Sequence, residues 1–164
     1  MSEIQDDEER IQIGDFEVPK WQFDIYVIES EKFVQSLEDE LRGIADGGVV
    51  SKTLIRAIHT LSGTTNTLGI DHVAKVSQPV EGWLTQWMDL HEGEPLTHHD
   101  MQQLLAAGKG IVTMVRAIQT HAMPDPEPYA EQQKYFLERF TEEQKESSEN
   151  KATSTEFQEL LSLE

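Results

Sequence analysis

His59 is the residue in this sequence whose type and position best suit chemistry. On a helical wheel of residues 51–68, at about 100° per residue, it falls about 140° from the apolar stripe, so its imidazole should project into solvent. Gly63 lies one turn later on the same side, although a glycine inside a helix costs roughly 1 kcal/mol relative to alanine. Without a side chain at Gly63, another protein could approach the imidazole closely. The pattern therefore predicts an exposed histidine that a partner protein could approach.

The charges around His59 favour an anionic group. The chain carries 31 Asp+Glu against 13 Lys+Arg, yet residues 47–70 contain no acid. Lys52 and Arg56 are therefore locally unopposed, and the surface around His59 should be neutral to positive, which would favour a phosphoryl group or an acidic partner. The other candidate positions on this surface are Ser62, Gly63 and Asn66. Residues 101–124 are also free of acids, so an alternative interpretation is that the two innermost helices avoid charge and that His59 is an ordinary surface histidine.

The helix that carries His59 is one of four amphipathic segments. Apolar residues recur at spacings of three and four over residues 23–44, 51–68, 71–88 and 97–118, which is typical of helices with one buried face. Pro79 should bend the third segment, and Thr97 followed by Asp100 predicts an N-terminal capping box on the fourth. No segment alternates like a strand. Short connections between four helices predict an all-α fold, an antiparallel four-helix bundle.

The composition on either side of the bundle predicts the domain organisation. We expect an acidic, flexible N-terminal segment over residues 1–20 and the bundle over residues 21–123. A further polar helix is predicted over residues 124–146, with Tyr129, Phe136 and Phe140 on one side. Residues 147–164, rich in Ser, Glu, Thr and Lys at their start, read as a flexible linker or tail.

The overall charge excludes several classes of function. A formal net charge of −18 argues against nucleic-acid binding, which needs a basic face, and against adhesion to anionic membranes. The absence of cysteine excludes thiol nucleophiles and thiolate metal sites, and no set of side chains has the spacing of a metal site. We find no signal peptide, membrane span or ATP-binding motif, and therefore expect a cytoplasmic protein.

The residues that follow Ile58 resemble a known signature. The run His59-Thr60-Leu61-Ser62-Gly63, with Leu68-Gly69 at the end of the helix, is similar to the histidine phosphotransfer (HPt) pattern of His-Thr-Leu-Lys-Gly-Ser followed by Leu-Gly. The resemblance covers residues 23–121 and includes the order of the helices. It implies an HPt bundle in which His59 is the phosphoacceptor and exchanges a phosphoryl group with the aspartate of a response-regulator receiver domain. The receiver would supply Mg²⁺, so no cofactor is expected in this chain.

The resemblance also implies a place for the module. The pattern looks most like the phosphotransfer modules of chemotaxis-like (CheA-type) hybrid kinases, including those that control type IV pili and twitching motility. A histidine kinase catalytic domain in the same parent chain would then be a partner, because this chain has no ATP site of its own. A free-standing relay protein fits the same residues.

One departure from the HPt pattern leaves an alternative open. The family usually has a lysine where this chain has Ser62, and a serine brings no charge to the phosphoryl oxygens. Lys52 and Arg56 could compensate in part. The alternative is a non-phosphorylated HPt-like helical scaffold that binds a signalling partner. From the position of His59 on the wheel and the open space at Gly63, we also expect its imidazole to be mostly exposed and not held by a buried carboxylate.

Overall fold

The structure, a computed structural model, describes residues 9–142 of the 164-residue chain. Its elements in chain order are two short strands, four long helices, a 3-10 turn and a further helix. The strands are β1 (Arg10–Ile13) and β2 (Phe16–Pro19). The long helices are α1 (Lys20–Ala45), α2 (Lys52–Thr67), α3 (His72–Leu90) and α4 (His98–Gln119). The 3-10 turn, Glu127–Tyr129, leads into α5, which covers residues 130–142.

The four long helices form the predicted bundle. Each packs against two neighbours, in the cyclic order α1, α2, α3, α4, and their inward faces supply a continuous apolar core that includes Leu37, Leu61, Leu84 and Ile111. The all-α bundle prediction is therefore confirmed. Helix α3 is continuous through Pro79. Within residues 9–142, no helix combines the length and apolar composition that a bilayer crossing requires.

Local sequence signals set the ends of α2, the helix that carries His59. The Ser51 hydroxyl accepts a hydrogen bond from the Leu54 amide at 3.1 Å, which satisfies one of the unpaired amides of the first turn. Gly69 ends the helix with a φ of +88°, a left-handed conformation that a glycine adopts without steric cost. These two signals fix where α2 begins and where the chain reverses into α3.

Residues 10–19 form a hairpin where a flexible extension was predicted over residues 1–20, and residues 1–8 of that extension lie outside the described residues. Strands β1 and β2 pair as an antiparallel hairpin, with Ile13 opposite Phe16. Gly14 takes a φ of +60°, as the first of two residues in a tight hairpin turn often does. Ile13 and Val18 are buried in the core. The hairpin is too short for its alternation to stand out in an acidic stretch, and it is held by contacts with the bundle.

Helix α5 completes the fold by packing on α3 and α4. Phe136 is fully buried, and its ring lies 5.2 Å from the Trp83 ring on α3. The Asp100 carboxylate, 2% exposed, accepts hydrogen bonds from the Tyr135 hydroxyl and, at 3.1 Å, from the Arg139 guanidinium. The predicted cap is present, because the Thr97 hydroxyl accepts from the Asp100 amide. The Asp100 side chain instead anchors α5, a role for which the sequence offered no signal.

The tail over residues 147–164 lies outside the described residues.

Candidate functional site

The core contacts of α2 leave His59 facing outward. Leu54, Ile58 and Leu61 are fully buried, and these three positions fix the rotation of the helix about its axis. His59 then lies on the opposite side, and its side chain is 71% exposed. This exposure agrees with the position expected from the helical wheel.

A carboxylate from the neighbouring helix holds one nitrogen of His59. The His59 Nδ1 atom lies 2.6 Å from Oε1 of Glu81 on α3, whose side chain is 24% exposed. An ionised carboxylate can only accept a hydrogen bond, so Nδ1 carries the proton. In the neutral ring, Nε2 then keeps its lone pair and faces away from the bond. The sequence analysis expected no buried carboxylate at this imidazole and did not foresee the bond to Glu81, which is partly buried.

The position of Glu81 at the height of His59 could have been predicted from the turn between the two helices. Helices α2 and α3 are antiparallel neighbours joined at Gly69 and Ile70. His59 lies eleven residues before Ile70, and Glu81 lies eleven residues after it. Two helices that reverse at this turn therefore bring positions 59 and 81 to the same height. Glu81 was not among the predicted site residues, because charges on the helix of His59 alone do not reveal a carboxylate on the neighbouring helix.

A groove beside His59 is lined by the two cations predicted for this surface. Lys52 and Arg56 line it together with His59, Glu81 and Asp89. The groove encloses a volume of about 470 Å³. Both cations are exposed. The groove holds two cations and two carboxylates, so its formal charge is zero, which agrees with the predicted neutral to positive surface. Both carboxylates come from α3, a helix that the prediction did not consider.

The remaining predicted site residues take up different positions. Gly63 is exposed, and a Cβ built on it would meet no atom within 4 Å, so the surface beyond the imidazole is open. Asn66 is exposed seven residues after His59 and lines a different surface pocket. The prediction that Ser62 belongs to the exposed surface around His59 is wrong, because this residue is only 4% exposed. Ser62 lies at the edge of the buried face of α2 and is covered by the bundle.

The sequence itself decides the family. The model of the Hpt domain family matches residues 23–123, which cover the four long helices except the first three residues of α1 and include His59. The chain belongs to the Hpt domain family. A comparison with curated proteins gives no match.

The Hpt fold assignment agrees with a solved structure. The chain is similar to the phosphorylated P1 domain of CheA3, solved in complex with CheY6 from R. sphaeroides. The two share 19% sequence identity, and the similarity covers 72% of this chain and 96% of that chain with a TM-score of 0.58. At this identity the likeness shows a shared fold.

Other histidines of the Hpt chain lack the features of His59. His91 also binds a carboxylate, with its Nδ1 3.1 Å from Oε2 of Glu94, but its side chain is only 34% exposed and its partner lies in the same loop. His121 lies with its ring 4.9 Å from the Phe23 ring. In the part of the chain that the structure describes, no group of three His, Asp or Glu side chains could hold a metal ion.

Proposed function

We propose that this chain is a histidine phosphotransfer module in which His59 accepts a phosphoryl group and passes it to the aspartate of a receiver domain. The observation that carries the proposal is the exposed imidazole whose Nδ1 is bound to Glu81 at 2.6 Å. This bond leaves Nε2 as the free nucleophile on the solvent side. Membership of the Hpt family supports the assignment of the reaction.

The geometry supports a simple exchange at Nε2. The Nε2 lone pair forms a bond to phosphorus while the bond from phosphorus to the donor's leaving group breaks. The ring then carries a positive charge, which the Glu81 carboxylate at Nδ1 offsets. In the forward transfer, a carboxylate oxygen of the receiver attacks the phosphorus, and the electron pair of the N–P bond returns to Nε2. Glu81 therefore stabilises the ring in both directions.

The partner in this proposal is a response-regulator receiver domain. The similar P1 domain was solved in complex with CheY6, and the open surface at Gly63 would admit a protein of that kind. The receiver would supply the acceptor aspartate and its Mg²⁺. A histidine kinase catalytic domain would supply the phosphoryl group, and a module that works with these two partners would lie in the cytoplasm.

The test is the transfer of labelled phosphate to this chain. The chain is incubated with a phosphorylated receiver or an active kinase domain, and acid-labile, base-stable phosphate is measured on it. We expect label on the wild type and on His91→Gln, which removes a matched histidine–carboxylate pair, but none on His59→Gln. Label that survives His59→Gln would place the phosphate on another residue and refute the proposal.

A non-phosphorylated scaffold is the second candidate, and the serine at position 62 favours it. A scaffold would bind its signalling partner without becoming labelled, and His59→Gln would leave that binding nearly unchanged. An unlabelled wild type that binds a receiver would decide for this candidate.

A further inference from the structure

Phosphorylation of His59 would add negative charge to a groove that already holds carboxylates. A phosphoryl group carries about −1.5 to −2 charges near pH 7. The groove contains the carboxylates of Glu81 and Asp89, and the whole chain has a net charge of −18. A cation close to Nε2 is therefore needed to offset the repulsion.

Position 62, where the family pattern has lysine, does not supply this cation. Ser62 is neutral, and it is 4% exposed, so its hydroxyl does not face the groove in which a phosphoryl group would lie. The charge has to come from another position.

Arg56 is the cation best placed to do so. It lies three residues before His59 on α2, which is a rise of about 4.5 Å, and it lines the same groove. Helical side chains lean toward the N-terminus of their helix, so the His59 imidazole lies over the turn that contains Arg56. Lys52 lines the groove too, but its seven-residue separation corresponds to a rise of about 10.5 Å.

Among the described residues, Arg56 also differs from the other arginines in having no ion pair. Within residues 9–142 the structure contains all five arginines of the chain. Four of them form ion pairs with carboxylates: Arg10 with Glu17, Arg42 with Asp39, Arg116 with Glu31 and Glu38, and Arg139 with Asp100. Arg56 forms no ion pair with any residue of 9–142, although acidic residues outnumber basic ones more than twofold in the chain. No ion pair there would have to break before it could bind an anion.

We infer that Arg56 binds the phosphoryl oxygens on His59 and takes over the role that the family pattern gives to a lysine one turn after the histidine. This inference rests on the proposed function. The planar guanidinium offers two parallel N–H donors to a phosphoryl group, so it can bind two oxygens at once where an ammonium acts as a point charge. The positive charge thus lies on the N-terminal side of His59, and the C-terminal side at Gly63 stays open.

The test uses phosphoramidate, a small donor that needs no protein partner. The N–P bond forms at Nε2 as the donor's P–N bond breaks, and ammonia leaves with that electron pair. The initial labelling rate and the subsequent loss of phosphate are measured for wild type, Arg56→Gln, Arg56→Lys and the exposed control Lys109→Gln. Far-UV circular dichroism checks that each variant is folded.

We expect Arg56→Gln to label about fivefold more slowly, a change of about 1 kcal/mol at 1.36 kcal/mol per tenfold. Arg56→Lys should fall between it and the wild type, and Lys109→Gln should match the wild type. Equal labelling and phosphate loss in folded Arg56→Gln and wild type would overturn the inference while leaving the proposed function intact. A folded wild type that takes no label from phosphoramidate, a receiver or a kinase would overturn both.

Discussion

Removal of the Glu81 carboxylate should slow phosphorylation of His59 without unfolding the bundle. A hydrogen bond to a charged group contributes about 1.5–3 kcal/mol. The 2.6 Å bond is short, but the His59 side chain is 71% exposed and water competes for Nδ1, so the low end applies. Loss of about 1.4 kcal/mol corresponds to a rate about tenfold lower, which we expect for Glu81→Ala. A neutral hydrogen bond is roughly half as strong, so Glu81→Gln should lower the rate about threefold.

The assay is the initial rate of acid-labile labelling by phosphoramidate, which avoids any effect on protein docking. Asp89→Asn is the matched control, because it removes a carboxylate from the same groove and no hydrogen bond between Asp89 and His59 is present. We expect it to label at the wild-type rate or slightly faster. If Glu81→Ala and Asp89→Asn behave alike, the hydrogen bond at Nδ1 does not control the reactivity of Nε2.

Three further changes test other parts of the structure. Gly63→Gln should leave phosphoramidate labelling unchanged, since its Cβ would meet open space, yet slow transfer to a receiver several-fold; equal transfer would remove the argument that Gly63 provides access. Phe136→Ala should lower the free energy of unfolding in urea by about 3 kcal/mol, because Phe136 is fully buried; a loss below about 1 kcal/mol would mean that α5 does not unfold with the bundle. Burial raises the pKa of Tyr26 to about 12 from its ordinary value of about 10, so its contribution to stability is present below pH 10 and is lost as the pH rises towards 12. The stability difference between wild type and Tyr26→Phe should therefore narrow over that interval, and a constant difference would contradict the assignment.

The bundle was predictable because its signals are local and repeated. Each signal acts within a few residues: the apolar stripe of each helix, the stop at Gly69 and the cap at Thr97. The apolar stripe of α2 specifies which face of that helix is buried. That information is sufficient to place His59 on the surface.

The rest of the site depends on contacts between elements. Glu81 reaches His59 only because α2 and α3 reverse at Ile70, and Asp100 is buried only because Tyr135 and Arg139 dock on it. Ser62 lies near the edge of the buried face of α2, where a wheel alone does not separate exposed from buried positions. For the same reason, a four-residue strand such as β1 is specified by the core it packs against.

The most direct test of the account is to observe the nitrogens of His59 by NMR. Long-range ¹H–¹⁵N spectra of ¹⁵N-labelled protein would be recorded before and after phosphorylation, with the six histidines of the chain assigned by substitution. We expect neutral His59 to carry its proton on Nδ1, and the phosphoryl group to appear on Nε2 of this residue alone. A phosphoryl group on Nδ1, or on any other histidine, would contradict it.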